Sequence, residues 1–128
     1  TKTIATPETG EIYLINGDLN GAKRTLTLPS AQDGAYFKIV WGVDMDESYN
    51  LEVATAATTE LFKGSVSYAV GVARTSGSLL QADADFSDDD LLTFNDDVRR
   101  GSWVEFVSDG SHWYVNGLVH VSVAPAFS

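Results

Sequence analysis

The chain has 128 residues, eighteen acidic against eight basic side chains for a net charge of −10, and no cysteine. That length fits one domain with a real core, and the missing thiols exclude disulfide staples and thiolate metal sites. The negative field disfavours nucleic-acid and anionic-membrane partners, and the longest apolar runs, such as residues 68–73, fall far short of the roughly twenty residues of a membrane helix.

In chain order, residues 1–10 are Thr-rich, contain Pro7 and Gly10 and show neither strand-like nor helix-like periodicity. They predict an extended N-terminal arm ahead of a β-domain over 11–123. E-I-Y-L-I-N (11–16) is a first short strand, closed by a turn at 17–21. Residues 24–28 alternate, with Leu26 and Leu28 on one face, and Pro29 ends them. After a second turn at 30–34, A-Y-F-K-I-V-W (35–41) is a strong strand: Phe37, Ile39 and Trp41 share one face, and Tyr36, Lys38 and Val40 the other. An acidic loop at 44–48 precedes a strand at 49–54, with Leu51 and Val53 inward. Further strands are expected at 61–62 and 65–73, where Val66, Tyr68, Val70 and Val72 alternate and Gly71 signals a bulge or close backbone approach.

Residues 74–100 hold seven Asp against three Arg and predict a long surface excursion with one weak strand at 91–94. The segment 101–116, G-S-W-V-E-F-V-S-D-G-S-H-W-Y-V-N, predicts a β-hairpin about Asp109-Gly110, a dipeptide suited to a two-residue type I′ loop. Such a loop sets Phe106 opposite Trp113 and Val104 opposite Val115 on the core side. Trp103, Glu105 and Val107 then oppose Asn116, Tyr114 and His112 on a mixed outer face. A last strand at 118–123 and a C-terminal tail at 124–128 complete the chain. The expected fold is a single all-β domain, an antiparallel β-sandwich or barrel with a C-terminal Asp-Gly hairpin. Its core is expected to hold Leu26, Leu28, Phe37, Ile39, Leu51, Val53, Phe106, Trp113 and Val115.

The common nucleotide, zinc and serine-nucleophile motifs are absent from the sequence, and no catalytic, cofactor-binding or metal-ligating residue is assigned. His112 and His120 fall on strands, where histidine is usually a packed or solvated side chain. Acid pairs at Asp44, Asp46, Glu47 or around Asp88 have the types needed for glycoside hydrolysis, as does any chain with this many acids. Loops 44–47 and 85–90 offer hard-cation oxygens without the spacing of a dedicated calcium loop. The aromatics Trp41, Trp103, Trp113, Tyr36, Tyr49, Tyr68 and Tyr114 suit a core, a subunit interface or a sugar-stacking platform.

Two blocks, T-L-T-L-P-S-A-Q-D-G-A-Y-F-K-I-V (25–40) and W-V-E-F-V-S-D-G-S-H-W-Y-V (103–115), together resemble small all-β domains of bacteriophage virion proteins. There, a strand ending L-P-x-A leads through a Gly turn into an F-x-I/V strand, and an S-D-G hairpin closes the domain. The acidic 74–100 segment departs from that pattern. The resemblance implies a capsid decoration (cement) protein, without catalysis or cofactors, that binds the major capsid protein on the virion's outer surface as a homotrimer. The alternative it implies is a small tail- or head-fibre protein that binds a host receptor or joins virion parts; the small size fits the first better. Contacts to capsid or to other copies are expected from the arm (Thr3, Ile4, Pro7), the tail (Pro125, Phe127) and Trp103, with the acidic 83–97 stretch facing solvent.

Overall fold

The alternating segments become eleven strands in a computed structural model that describes residues 2–3, 10–16, 23–45, 50–70, 80–85, 87–95 and 97–128, with the main chain alone at 2, 3, 80 and 82. They are β1 (Lys2–Thr3), β2 (Glu11–Ile15), β3 (Arg24–Thr27), β4 (Asp33–Trp41), β5 (Leu51–Ala54), β6 (Phe62–Val70), β7 (Leu80–Asp83), β8 (Leu91–Phe94), β9 (Trp103–Asp109), β10 (Trp113–Val121) and β11 (Ala126–Phe127). Two open sheets pack face to face: a five-stranded sheet in the order β1-β3-β5-β8-β11 and a six-stranded sheet in the order β2-β4-β9-β10-β6-β7.

Both sheets are mixed, which corrects the antiparallel expectation and excludes a closed barrel. The cause is the path of the chain. From β1 to β6 each connection crosses to the other sheet, so a strand reached after two crossings runs in the direction of the one it pairs with. Hence β1 is parallel to β3, β3 to β5 and β2 to β4. Such crossovers are the only way to place parallel neighbours side by side. The hairpin β9–β10 then inserts into the middle of the large sheet. β9 lies antiparallel to β4, with Phe37 opposite Phe106 and Ile39 opposite Val104. β10 lies parallel to β6 from Trp113↔Phe62 to Val121↔Val70.

The inward positions match the period-two reading, and all nine expected core residues are buried. Side chains from the two sheets meet between the layers: Trp41 of the large sheet stands edge-on to Phe94 of the small one at 5.0 Å, and Phe62 likewise to Phe127 at 6.2 Å. Of these, the fully buried Trp41, Phe62 and Phe94 each contribute about 1.5–3 kcal/mol from removal of apolar surface from water.

Four local expectations change. The hairpin turn is centred on Gly110 and Ser111: only Gly110 there takes positive φ (+91°), and Asp109 N–H donates to the His112 carbonyl. The Asp109 carboxylate is the reason, accepting the Ser111 and His112 amides at 2.8 and 2.7 Å and holding Asp109 at the head of the turn. Register therefore moves by two, to Val107↔Tyr114 and Phe106↔Val115, and an even shift leaves every side chain on its expected face. The strands expected at 61–62 and 65–73 are one strand, β6, whose close approach lies at Gly64 (φ +104°); Gly71 and Val72 lie outside the described residues, and Val70 is exposed. The strand expected at 118–123 is the continuation of β10.

The acidic segment is also no mere excursion. β7 pairs with β6 and β8 with β5, while Ala84, Leu92, Phe94 and Val98 are core. Asp89 is 4% exposed, so it does not face solvent as the 83–97 stretch was expected to. Nor is the tail a free extension: β11 pairs with β8, Pro125 is buried, and Ser128 exchanges main-chain hydrogen bonds with Leu91.

Candidate functional surface

The two sheets present different outer faces. On the small sheet the row Thr25–Glu52–Thr93 is polar, with Glu52 bonded to Lys23 at 2.6 Å and to the Thr25 hydroxyl at 3.3 Å. On the large sheet, the registers of β2, β4, β9, β10 and β6 align three rows. The first begins apolar, Leu14–Val40–Trp103–Leu118, and ends polar at Ser67 and Gln81. The second begins at Ile12 and continues through Lys38, Glu105, Asn116 and Ser65 to Asp83. The third is Tyr36–Val107–Tyr114–Lys63. Ile12 (64% exposed), Leu14 (58%), Tyr114 (47%) and Val107 (40%) put large apolar surface into water. They form two apolar clusters, Ile12–Leu14 and Val107–Tyr114, parted by the Lys38–Glu105 pair, and exposed clusters of this kind on a folded sheet suit an interaction surface.

The polar groups on this face are fixed by their neighbours. Lys38 holds Nζ 4.7 Å from the centre of the Trp103 ring, a cation–π contact that orients both side chains. The Tyr36 hydroxyl donates to Glu105 at 3.0 Å, and burial together with that carboxylate raises its pKa. The Tyr114 hydroxyl donates to Asp109 at 3.1 Å, which raises its pKa too. At the inward side of the β2 edge, burial and the hydrogen-bonded Glu11 push the Tyr13 hydroxyl up to about 12.

Of the expected contact residues, Trp103 lies on this surface, half-buried. Thr3 is placed by its main chain opposite Thr27 in the small sheet, and Ile4 and Pro7 lie outside the described residues. Pro125 and Phe127 are used within the chain, Phe127 against Phe62. Ile12 and Leu14 were not singled out from the sequence, although E-I-Y-L-I is apolar at both parities, the signal that both faces of a strand find apolar surroundings. His112 Nδ1 accepts the Leu61 amide at 3.2 Å, tying the start of β10 to that of β6.

Asp85, Asp88 and Asp89 bring carboxylate oxygens within 4.8 Å of one another, a grouping common among acids that hold no ion. Much of its geometry is internal: Asp85 accepts the Ser87 amide and hydroxyl at 2.9 and 2.7 Å, which lowers its pKa, and its own amide donates to Asp89. Burial, with the charges of Asp85 and Asp88 adding to it, raises the Asp89 pKa. A carboxyl raised by folding costs stability when it ionises. The cost is absent below the unfolded carboxylate range, about 3.9, and complete above the folded value. Asp89→Asn keeps an acceptor for the Asp85 amide and removes the charge, so it should stabilise the fold at neutral pH by about 1 kcal/mol. Thermal denaturation in a pH series should show that gain fading as pH falls from neutrality towards about 4 and absent below it; a pH-independent difference would mean that Asp89 does not carry the charge cost.

The architecture thus defines an all-β protein of two mixed, face-packed sheets, the larger of which exposes large apolar side chains on its outer face. No family model matches the chain, and no curated protein or solved structure matches it either.

Proposed function

We propose that the protein is a structural component of a bacteriophage virion, a capsid decoration protein that binds the major capsid protein on the outer surface as a homotrimer. The observation that carries the reading is the adjacency of its two distinctive blocks. Residues 25–40 and 103–115, far apart in sequence, end in neighbouring strands β4 and β9 of one sheet, paired from Tyr36↔Val107 to Val40↔Trp103. The blocks therefore act as one folded unit, and the outer surface of that unit carries the apolar rows. A protein whose most distinctive strands present such a face works by being covered, which is the task of a particle component.

The N-terminal arm, with Thr3 at the edge of the small sheet and with Ile4 and Pro7, supplies the capsid contact: a Thr-rich segment whose two charges, Lys2 and Glu8, cancel can lie along another protein with little charge desolvation. The test uses particles of the encoding phage that lack this chain. The purified protein should bind them saturably and raise their heat resistance without changing adsorption. Deletion of residues 1–9 should abolish binding while circular dichroism stays all-β. Blocked adsorption by the free protein would identify instead a small fibre protein that contacts the host receptor. Absence of the chain from purified virions, with no binding to any particle, would remove the virion reading altogether.

A further inference from the structure

We infer that Asp109–Gly110 is a site of covalent ageing that the folded turn holds shut: the hydrogen bonds capping the hairpin, with the Tyr114 hydroxyl as an exposed latch, keep this dipeptide from closing to a succinimide and reopening as isoaspartate. The reaction is intrinsic to an aspartate followed by glycine, which has no Cβ to obstruct the approach. The Gly110 main-chain nitrogen attacks Cγ of a protonated Asp109 carboxyl. A C–N bond forms, and the carboxyl's hydroxyl leaves with the amide proton as water. A second water then cleaves the bond between that nitrogen and the old Asp109 carbonyl carbon. The main chain afterwards runs through Cβ and Cγ, and the old carbonyl carbon carries the free carboxylate.

Solvent is no barrier, because Asp109, Gly110 and Tyr114 are all exposed. The hydrogen bonds are. Asp109 Oδ1 accepts the Ser111 and His112 amides, and Oδ2 accepts the Tyr114 hydroxyl at 3.1 Å. Three donors hold the carboxyl ionised, the form that a nitrogen does not attack, and these contacts, the His112 amide foremost, lower its pKa. The amide that has to lose its proton is occupied too: Gly110 N–H donates at 3.0 Å to Oγ of the buried Ser108. Among the described residues, the other ionisable groups that register and hydrogen bonding bring to the turn are Asp33, opposite Asp109 in β4, His112, whose Nδ1 accepts the Leu61 amide, and Lys63, beside Tyr114 in β6. Of these only Asp33 carries a like charge. Isoaspartate would undo the turn, since its main chain is one atom longer and its carboxylate no longer stands on Cγ to cap the two amides.

The test is a timed incubation at about pH 5, where a free aspartate is still partly protonated, with isoaspartate at residue 109 read by peptide mapping and electron-transfer fragmentation. The folded wild type should form it at least about tenfold more slowly than the same chain unfolded in guanidinium, because only the opened turn reacts. Tyr114→Phe keeps the ring and loses the donor. Folded, it should react roughly two- to tenfold faster than the folded wild type, with an equal rate when unfolded and an unchanged dichroism spectrum. Ser108→Ala, which frees the Gly110 amide, should act in the same direction. After removal of guanidinium, isoaspartyl chains should be depleted from the native fraction. Equal rates in the folded and unfolded wild type overturn the inference, and so does a folded Tyr114→Phe protein that ages no faster than the wild type. Isoaspartyl chains that refold as well as the rest would overturn the dependence of the turn on the Asp109 cap. Each of these results leaves the virion reading standing.

Discussion

Trp113→Ala should lower stability by about 3–5 kcal/mol, the upper range for truncation of a core side chain. Trp113 is fully buried at the first position of β10, where its main chain faces Phe62 on one side and Ser108 on the other and its ring lies 5.7 Å from that of Phe37. Alanine leaves a void at a site whose walls belong to three strands of the sheet's centre, and these cannot collapse without breaking register. The indole has a liability as well: its Nε1–H is buried with no hydrogen-bond partner among the described residues. Leaving a donor unsatisfied costs about 1–3 kcal/mol. Trp113→Phe removes that donor along with part of the ring, so the two effects offset and the loss should be no more than about 1–2 kcal/mol. Denaturant unfolding of both variants checks this, with the wide gap between them as the readout. Equal losses would show that the indole N–H is satisfied.

Gly64→Ala should cost about 2–5 kcal/mol, from a strained backbone and an overfilled contact acting together. Gly64 has φ +104°, where L side chains are rarely found, and a Cβ there would stand 2.4 Å from the Val115 carbonyl oxygen. That oxygen is main chain in the strand paired with β6, so relief requires parting β6 from β10. Gly110→Ala is the comparison. It has a similar φ, but its nearest neighbour would be the Asp33 amide nitrogen at 3.4 Å, which leaves mainly the conformational cost of about 1–3 kcal/mol. Thermal or urea denaturation of the pair separates the two contributions. A Gly64→Ala protein as stable as Gly110→Ala would mean that the strands do not approach so closely.

The apolar rows were half legible. Tyr36, Lys38 and Val40 were assigned to one face of their strand, and Trp103, Glu105 and Val107 to the outer side of the hairpin, because alternation places side chains without reference to any partner. That these two sets abut, and that Leu14 and Leu118 extend the apolar row at either end, required strand order. The acidic segment shows the opposite failure. Its charges mask β7 and the core positions Ala84 and Val98, whereas the strand expected at 91–94 is β8 with the same bounds.

The sequence by itself determined the all-β class, the parity of nearly every strand and the nine residues named for the core. These depend on the two-residue repeat of the extended chain, which is local. Tertiary structure alone decided which strands are neighbours and in which direction they run. β10 lies parallel to β6, β2 to β4 and β3 to β5 because the chain crosses between layers, and an alternating pattern is the same whichever neighbour it meets. The turn at Gly110 and Ser111 belongs to that second kind too. Its position follows from the Asp109 carboxylate capping two amides and from the pairing of β9 with β4, and an even change of register is invisible to the parity of side chains.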